Sequence, residues 1–68
     1  DFLNIEIPNN LIHFGMLEIH DINGKLLLSK KIQQKENLID LSIFAPGTYI
    51  VLFSNQTGMK IREKLIIQ

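Results

Sequence analysis

The side chains that could perform acid–base or metal chemistry are few and scattered along this chain. His13 and His20 are the only imidazoles, and there is no cysteine. A metal site on His20 would have to recruit Glu18 or Asp21, because zinc sites take several such ligands. Since Glu18 and His20 fall on the polar side of an alternating segment, we interpret them as exposed strand residues and expect no metal or other cofactor.

A nucleophilic serine would need a histidine, an acid and a strained turn that exposes it. The candidate serines are Ser29, Ser42 and Ser54, and none lies in a glycine-bounded elbow. Asp40 and Glu63 could be read as a pair of catalytic carboxylates, but charges of this kind on strands are usually surface charges. The sequence therefore predicts that the chain is not an enzyme.

Two further patterns could concern sugars. Asn55-Gln56-Thr57 matches an N-glycosylation triplet, although it also fits a turn. A stacking platform for sugar rings could be formed by the aromatic side chains Phe2, Phe14, Phe44 and Tyr49. Because Tyr49 and Phe53 share parity on an apolar strand, core packing is the favoured interpretation.

Composition limits both the size of the fold and its partners. The chain has 68 residues, of which 46% are hydrophobic and 21% charged, as in one small globular domain. Its formal net charge is zero, and nucleic-acid binding needs a clustered basic surface, so no nucleic acid is expected. No apolar run approaches the roughly 20 residues of a membrane helix, and no signal peptide is recognisable.

Alternation of apolar and polar residues predicts six strands, over 2–7, 15–21, 25–32, 37–41, 48–54 and 59–67. The connections are too short for crossover helices, so the expected fold is all-β: a small antiparallel immunoglobulin-like β-sandwich of about six or seven strands. Strand 48–54 is apolar on both sides, which predicts a central strand, while the three leucines at 26–28 leave the facing of the third strand open. The side chains expected to point inward are Leu3, Ile5, Leu17, Ile19, Ile39, Leu41, Tyr49, Val51, Phe53 and Leu65.

The turns between these strands have specific chemistry. The segment 21–24 begins with Asp and ends with Gly, which fits a type I turn followed by a glycine bulge, and 55–58 repeats the pattern. The Asp21 carboxylate should accept hydrogen bonds from its own turn, and a negative φ at Asn23 would exclude the type I′ alternative. Ala45-Pro46-Gly47 fits a type II turn. Positive φ angles are expected at Gly24, Gly47 and Gly58.

In this order, the elements resemble one family: the C-terminal sorting domain of proteins exported by the type IX (Por) secretion system. The family pattern contains an Asp-x-x-Gly-Lys/Arg hairpin, a Leu-x-x-Gly-x-Tyr turn and strand, and a Lys-rich closing strand. The matching positions here are Asp21, Gly24 and Lys25, then Gly47 and Tyr49, then the strand with Lys60, Arg62 and Lys64. The Asn-Pro strand that opens the family pattern is missing, so residues 1–68 are expected to form a sorting domain that lacks its first strand upstream of Asp1.

The resemblance implies export by Bacteroidota. Such a domain directs a covalently linked upstream cargo through the periplasm and across the outer membrane to the cell surface or the medium. Its partners are the outer-membrane secretion and sortase machinery. An accessory adhesion or carbohydrate-binding β-sandwich module of a secreted protein is the alternative.

The matching positions are also the candidate recognition residues: Asp21, Gly24, Lys25, Gly47, Tyr49, Lys60, Arg62 and Lys64. The three cations of the last strand share parity and should point away from Ile61 and Leu65, although they could serve only to keep that face soluble. If a strand is missing before Asp1, an open sheet edge should make the chain self-associate or lower its stability relative to a longer one.

Overall fold

A computed structural model describes residues 2–6, 15–33 and 36–68, without the side chain of Ile5. Its strands are β1 (Phe2–Glu6), β2 (Gly15–Asp21), β3 (Leu26–Ile32), β4 (Glu36–Asp40), β5 (Gly47–Asn55) and β6 (Lys60–Ile67). The six strands predicted from alternation are thus confirmed, with shifts of at most one residue at their ends. Among the described residues no helix could span a membrane.

The strands form two antiparallel sheets, which confirms the predicted small β-sandwich. One sheet pairs β1 with β4, and the other has the order β3-β2-β5-β6. Strand β5 is central, since β2 lies on one side of it and β6 on the other. This position explains its two apolar faces: Tyr49 and Phe53 are buried between the sheets, while Ile50 and Leu52 are half-buried on the opposite side.

The core lies between the two sheets. The predicted inward side chains are either buried or packed against the buried cluster: Leu3, Leu17, Ile19, Ile39, Leu41, Tyr49, Val51, Phe53 and Leu65. The prediction for Ile5 lies outside the described side chains. Ile32 and Ile67 are also buried, although neither was predicted.

Two hairpins share one turn geometry. Gly24 has a φ of 87° and Gly58 a φ of 90°, and no described residue other than glycine has a positive φ. Asn23 therefore has the negative φ that excludes a type I′ turn. In the first turn the Gly24 N–H donates to the Asp21 carbonyl at 3.0 Å, and in the second the Gly58 N–H donates to the Asn55 carbonyl at 3.2 Å. The predicted type I turns with a glycine bulge are confirmed.

The third predicted turn is wrong in type and position. Gly47 has the expected positive sign of φ, but at 157° it is far from the roughly 80° of a type II turn, and it already pairs with Ile67 in the sheet. The chain reverses earlier, where the Phe44 N–H donates to the Leu41 carbonyl at 3.0 Å. Asp40 favours this earlier turn because its carboxylate accepts the Ser42 N–H at 2.9 Å.

Candidate recognition surface

The face of the four-stranded sheet that points away from the small sheet is called the outer face here. Strand alternation and the pairing register place on it the following side chains: Met16, Glu18 and His20 of β2, Thr48, Ile50, Leu52 and Ser54 of β5, and Lys60, Arg62, Lys64 and Ile66 of β6. Several of the candidate recognition residues therefore lie on one surface.

The first hairpin turn borders this face and is held rigidly by its own aspartate. Asp21 Oδ1 accepts the backbone N–H of Asn23 and of Lys25, both at 2.9 Å. The predicted capping role of the Asp21 carboxylate is thus confirmed. Gly24 supplies the positive φ that the bulge needs, and Lys25 is exposed. The turn presents a fixed backbone shape, with its carboxylate already engaged.

His20 connects the turn to the sheet. Its Nε2 lies 2.9 Å from Glu18 Oε1, and its Nδ1 lies 3.1 Å from the Gly24 carbonyl oxygen. Both neighbours are acceptors, so the imidazole satisfies both only when it carries two protons. The hydrogen bond with Glu18, and then the one with the Gly24 carbonyl, raise the pKa of His20 above its ordinary value of 6.5.

The cations of β6 lie beside the apolar middle of the outer face. Lys64 pairs with Ile50, Arg62 with Leu52, and Lys60 with Ser54. Side chains at alternate positions of a strand are about 7 Å apart, so the three cations form a row along the edge strand. The predicted orientation is confirmed, because Ile61 and Leu65 belong to the other face.

Among the described residues, this row of cations makes no ion pair. Within the described part of the chain, no carboxylate lies within ion-pair distance of Lys60, Arg62 or Lys64. Glu18, the nearest acidic position on the same face by register, is already bonded to His20. The cations are therefore available to an acidic group of a partner.

An open depression of about 280 Å³ joins the turn to the cationic row. It is lined by His20, Asp21, Ile22, Gly24, Ile50, Leu52 and Arg62. The structure thus brings Asp21 and Gly24 next to Arg62, although more than 35 residues separate them in sequence. Its apolar floor and polar rim suit a protein surface better than a small molecule.

Gly47 and Tyr49 lie outside the outer face, and the buried Tyr49 serves packing. Tyr49 is 9% exposed, and its hydroxyl donates to the Ala45 carbonyl at 2.6 Å. The Phe44 ring packs on it at a centroid distance of 5.4 Å. Together these contacts fix the segment between β4 and β5, so we leave both residues out of the recognition surface.

The structure also places the side chains that were considered for chemistry. Asp40 and Glu63 lie in different sheets, and the Ser42 N–H holds the pKa of the Asp40 carboxyl below its usual 3.8. Over the described ranges there is no group of three or more His, Cys, Asp and Glu side chains that could hold a metal. The buried Tyr49 contributes nothing to a sugar platform, and His13 and Phe14 lie outside the described residues.

Sequence reasoning missed the bridge from Glu18 through His20 to the Gly24 carbonyl. The spacing of Glu18 and His20, two residues apart on one strand face, was the available signal. The bond to Gly24 depends on how the turn folds back, which residue types alone do not specify.

Comparison with known proteins gives one family. A family model described as "Secretion system C-terminal sorting domain" matches residues 1–68, the whole of the sequence. Neither curated proteins nor solved structures give a significant match.

Proposed function

Because the chain belongs to the secretion-system C-terminal sorting domain family, we propose that the export machinery recognises it through the outer face of the hairpin β5–β6. The family is the C-terminal sorting signal of type IX secretion, and it is not enzymatic. Its members interact with the secretion machinery and are attached to an upstream cargo. The domain therefore directs export across the outer membrane, to the cell surface or the extracellular space.

The observation that carries the proposal is the unpaired row of Lys60, Arg62 and Lys64 beside Ile50 and Leu52. A sorting domain must be recognised behind unrelated cargoes, so the signal has to lie on its own surface or strand edges. The row is exposed, regularly spaced and fixed by a paired strand. Like-signed charges without partners among the described residues contribute little to stability, which favours a role in binding.

The proposal has two further parts. The rigid turn from Asp21 to Lys25 forms the second border of the recognised surface, because the depression runs from it to Arg62. After translocation, a surface sortase removes the domain and transfers the cargo to the surface or releases it.

An export assay tests the proposed surface. The chain is fused behind a signal peptide and a neutral reporter in a bacterium that has the type IX machinery. We expect the parent fusion to reach the cell surface or the medium, and the Lys60/Arg62/Lys64→Gln fusion to stay in the periplasm. Circular dichroism should show that this variant remains folded, since exposed substitutions usually cost little.

The matched control is Lys30/Lys31/Lys35→Gln, which removes the same charge from residues outside the proposed surface. It should be exported at nearly the level of the parent. If both triple variants lost export equally, net charge, and not the β6 surface, would govern export. Normal export of the folded β6 variant would exclude the cationic row as the signal.

A further inference from the structure

We propose that the export partner adds a β-strand to the open edge of β6, and that this strand carries carboxylates at alternate positions. The inference rests on the function proposed above, since it names the chemistry of the partner that the same surface takes. It makes recognition a strand addition with a defined sequence pattern, in which main-chain hydrogen bonds supply affinity and side chains supply selectivity.

Among the described strands, β6 has an open and regular outer edge. Strand β6 is the last in the order β3-β2-β5-β6, and among the described strands only β5 pairs with it. The register runs from Gly47–Ile67 to Ser54–Lys60 without a shift. The opposite edge differs, because the pairing of β2 with β3 shifts between Ile19 and His20. A regular edge is the better template for an added strand.

The pairing also identifies which residues offer their backbone to a partner. At the hairpin end, the Asn55 N–H donates to the Met59 carbonyl at 3.1 Å, so these two residues form a hydrogen-bonded pair. Hydrogen-bonded and non-hydrogen-bonded pairs alternate along an antiparallel ladder. Lys60, Arg62 and Lys64 therefore occupy non-hydrogen-bonded positions, and their N–H and C=O groups point away from β5.

One set of residues thus supplies both the cations and the free backbone groups. A strand added antiparallel to β6 would form hydrogen-bonded pairs opposite Arg62 and Lys64, with its facing side chains on the outer face. Carboxylates there would lie directly across from the cations, which stabilises a strand pair. A second copy of β6 would instead place cations opposite cations, so the charge pattern favours an acidic partner over self-association.

The other face of β6 completes the pattern. Ile61, which is 40% exposed, and the half-buried Leu65 would take apolar neighbours, whereas the exposed Glu63 between them would take a cation. Read from its N-terminus, opposite Ile66 to Lys60, the partner strand has the pattern Thr-Val-Glu-Lys-Glu-Val-Glu. Its acidic and apolar positions alternate, and one lysine lies at the centre.

A peptide of this sequence, blocked at both ends, tests the inference against the 68-residue chain by NMR titration. We expect saturable shifts of the β6 amides, with those of β3 unaffected. Binding to the Lys60/Arg62/Lys64→Gln variant should be about tenfold weaker, since three charged cross-strand pairs are lost. The charge-swapped peptide Thr-Val-Lys-Glu-Lys-Val-Lys should not bind.

Backbone methylation distinguishes strand addition from contact with the face alone. N-methylation of the two glutamates opposite Arg62 and Lys64 blocks amides that point at β6 and should abolish binding. N-methylation of the two valines blocks amides that point away and should leave binding intact. Equal binding of both methylated peptides, no binding of the parent peptide, or self-association of the chain through β6 would each overturn the inference.

The export assay separates this inference from the proposed function. If the Lys60/Arg62/Lys64→Gln fusion stays in the periplasm while no peptide binds, strand addition is refuted and the cationic surface remains the signal. If the peptide binds as expected while that fusion is exported normally, the edge binds acidic strands but is not what the export machinery reads, and both proposals fail as a description of sorting.

Discussion

Gly15, at the start of β2, is the position where the fold should tolerate a side chain least. A β-carbon built there would lie 2.6 Å from Cζ of Phe53 and 2.6 Å from the carbonyl oxygen of Ser54. Both distances are far below ordinary van der Waals contact. The phenyl ring can turn aside, but the carbonyl belongs to the central strand β5 and cannot move without disturbing the sheet.

We therefore expect Gly15→Ala to destabilise the domain by about 1–3 kcal/mol, as overpacking of a close-packed core does. For a domain of this size, each 1 kcal/mol lowers Tm by roughly 4–8 °C. The predicted fall in Tm is thus about 4–24 °C. Thermal unfolding followed by circular dichroism, and urea unfolding with an unchanged m-value, would measure it.

Two further variants test whether the close approach of Gly15 to β5 causes the loss of stability. Met16→Ala, one residue along and on the outer face, should change stability by less than about 0.5 kcal/mol. In Gly15→Ala/Phe53→Leu the obstructing ring is gone, so the added cost of the alanine should be smaller than in the parent, with the remainder due to the Ser54 carbonyl. A Tm for Gly15→Ala within a degree or two of the parent would show that β2 and β5 do not approach as closely as described.

Three further outcomes follow from the contacts. Tyr49→Phe removes the hydroxyl that donates at 2.6 Å and should cost about 1 kcal/mol in urea unfolding; an unchanged midpoint would show that the bond adds nothing. Because the folded-state pKa of His20 is raised, its contribution is complete below about pH 6.5 and is lost as pH rises through that pKa; Tm measured against pH should fall there in the parent but not in His20→Gln. The pKa of Asp40 is lowered, so its contribution is present above about pH 3.8 and disappears as pH falls through the folded-state pKa, a loss that Asp40→Asn should not show.

The strands and most of the core could be predicted because alternation is a local signal. The segments around Leu17, Ile39 and Phe53 each place one apolar set on one face, and burial selects that face. The two glycine-bulge turns could be predicted for the same reason, because the side chain at the first position of each turn accepts hydrogen bonds from that turn.

The features that could not be predicted from the sequence depend on contacts between distant segments. The facing of Leu26 to Leu28 is set by the register shift between Ile19 and His20 on the neighbouring strand. The turn at 41–44 replaced the predicted one because Asp40 and Tyr49 hold the chain from both sides. The parity of Lys60, Arg62 and Lys64 was predictable, but their proximity to the Asp21 turn was not, because it requires β5 to lie between β2 and β6.

The central place of β5 makes the four-stranded sheet depend on the last part of the domain, from Gly47 onward. A chain that stops before Gly47 lacks both β5 and β6, and retains only the ladders β1–β4 and β2–β3. Two-stranded ladders are at best marginally stable in water. Such a chain would present neither the four-stranded sheet nor the cationic edge, so a prematurely terminated product would lack the surface that we propose is recognised. The four-stranded sheet therefore forms only when β5 and β6, the last two strands of the domain, have been synthesised.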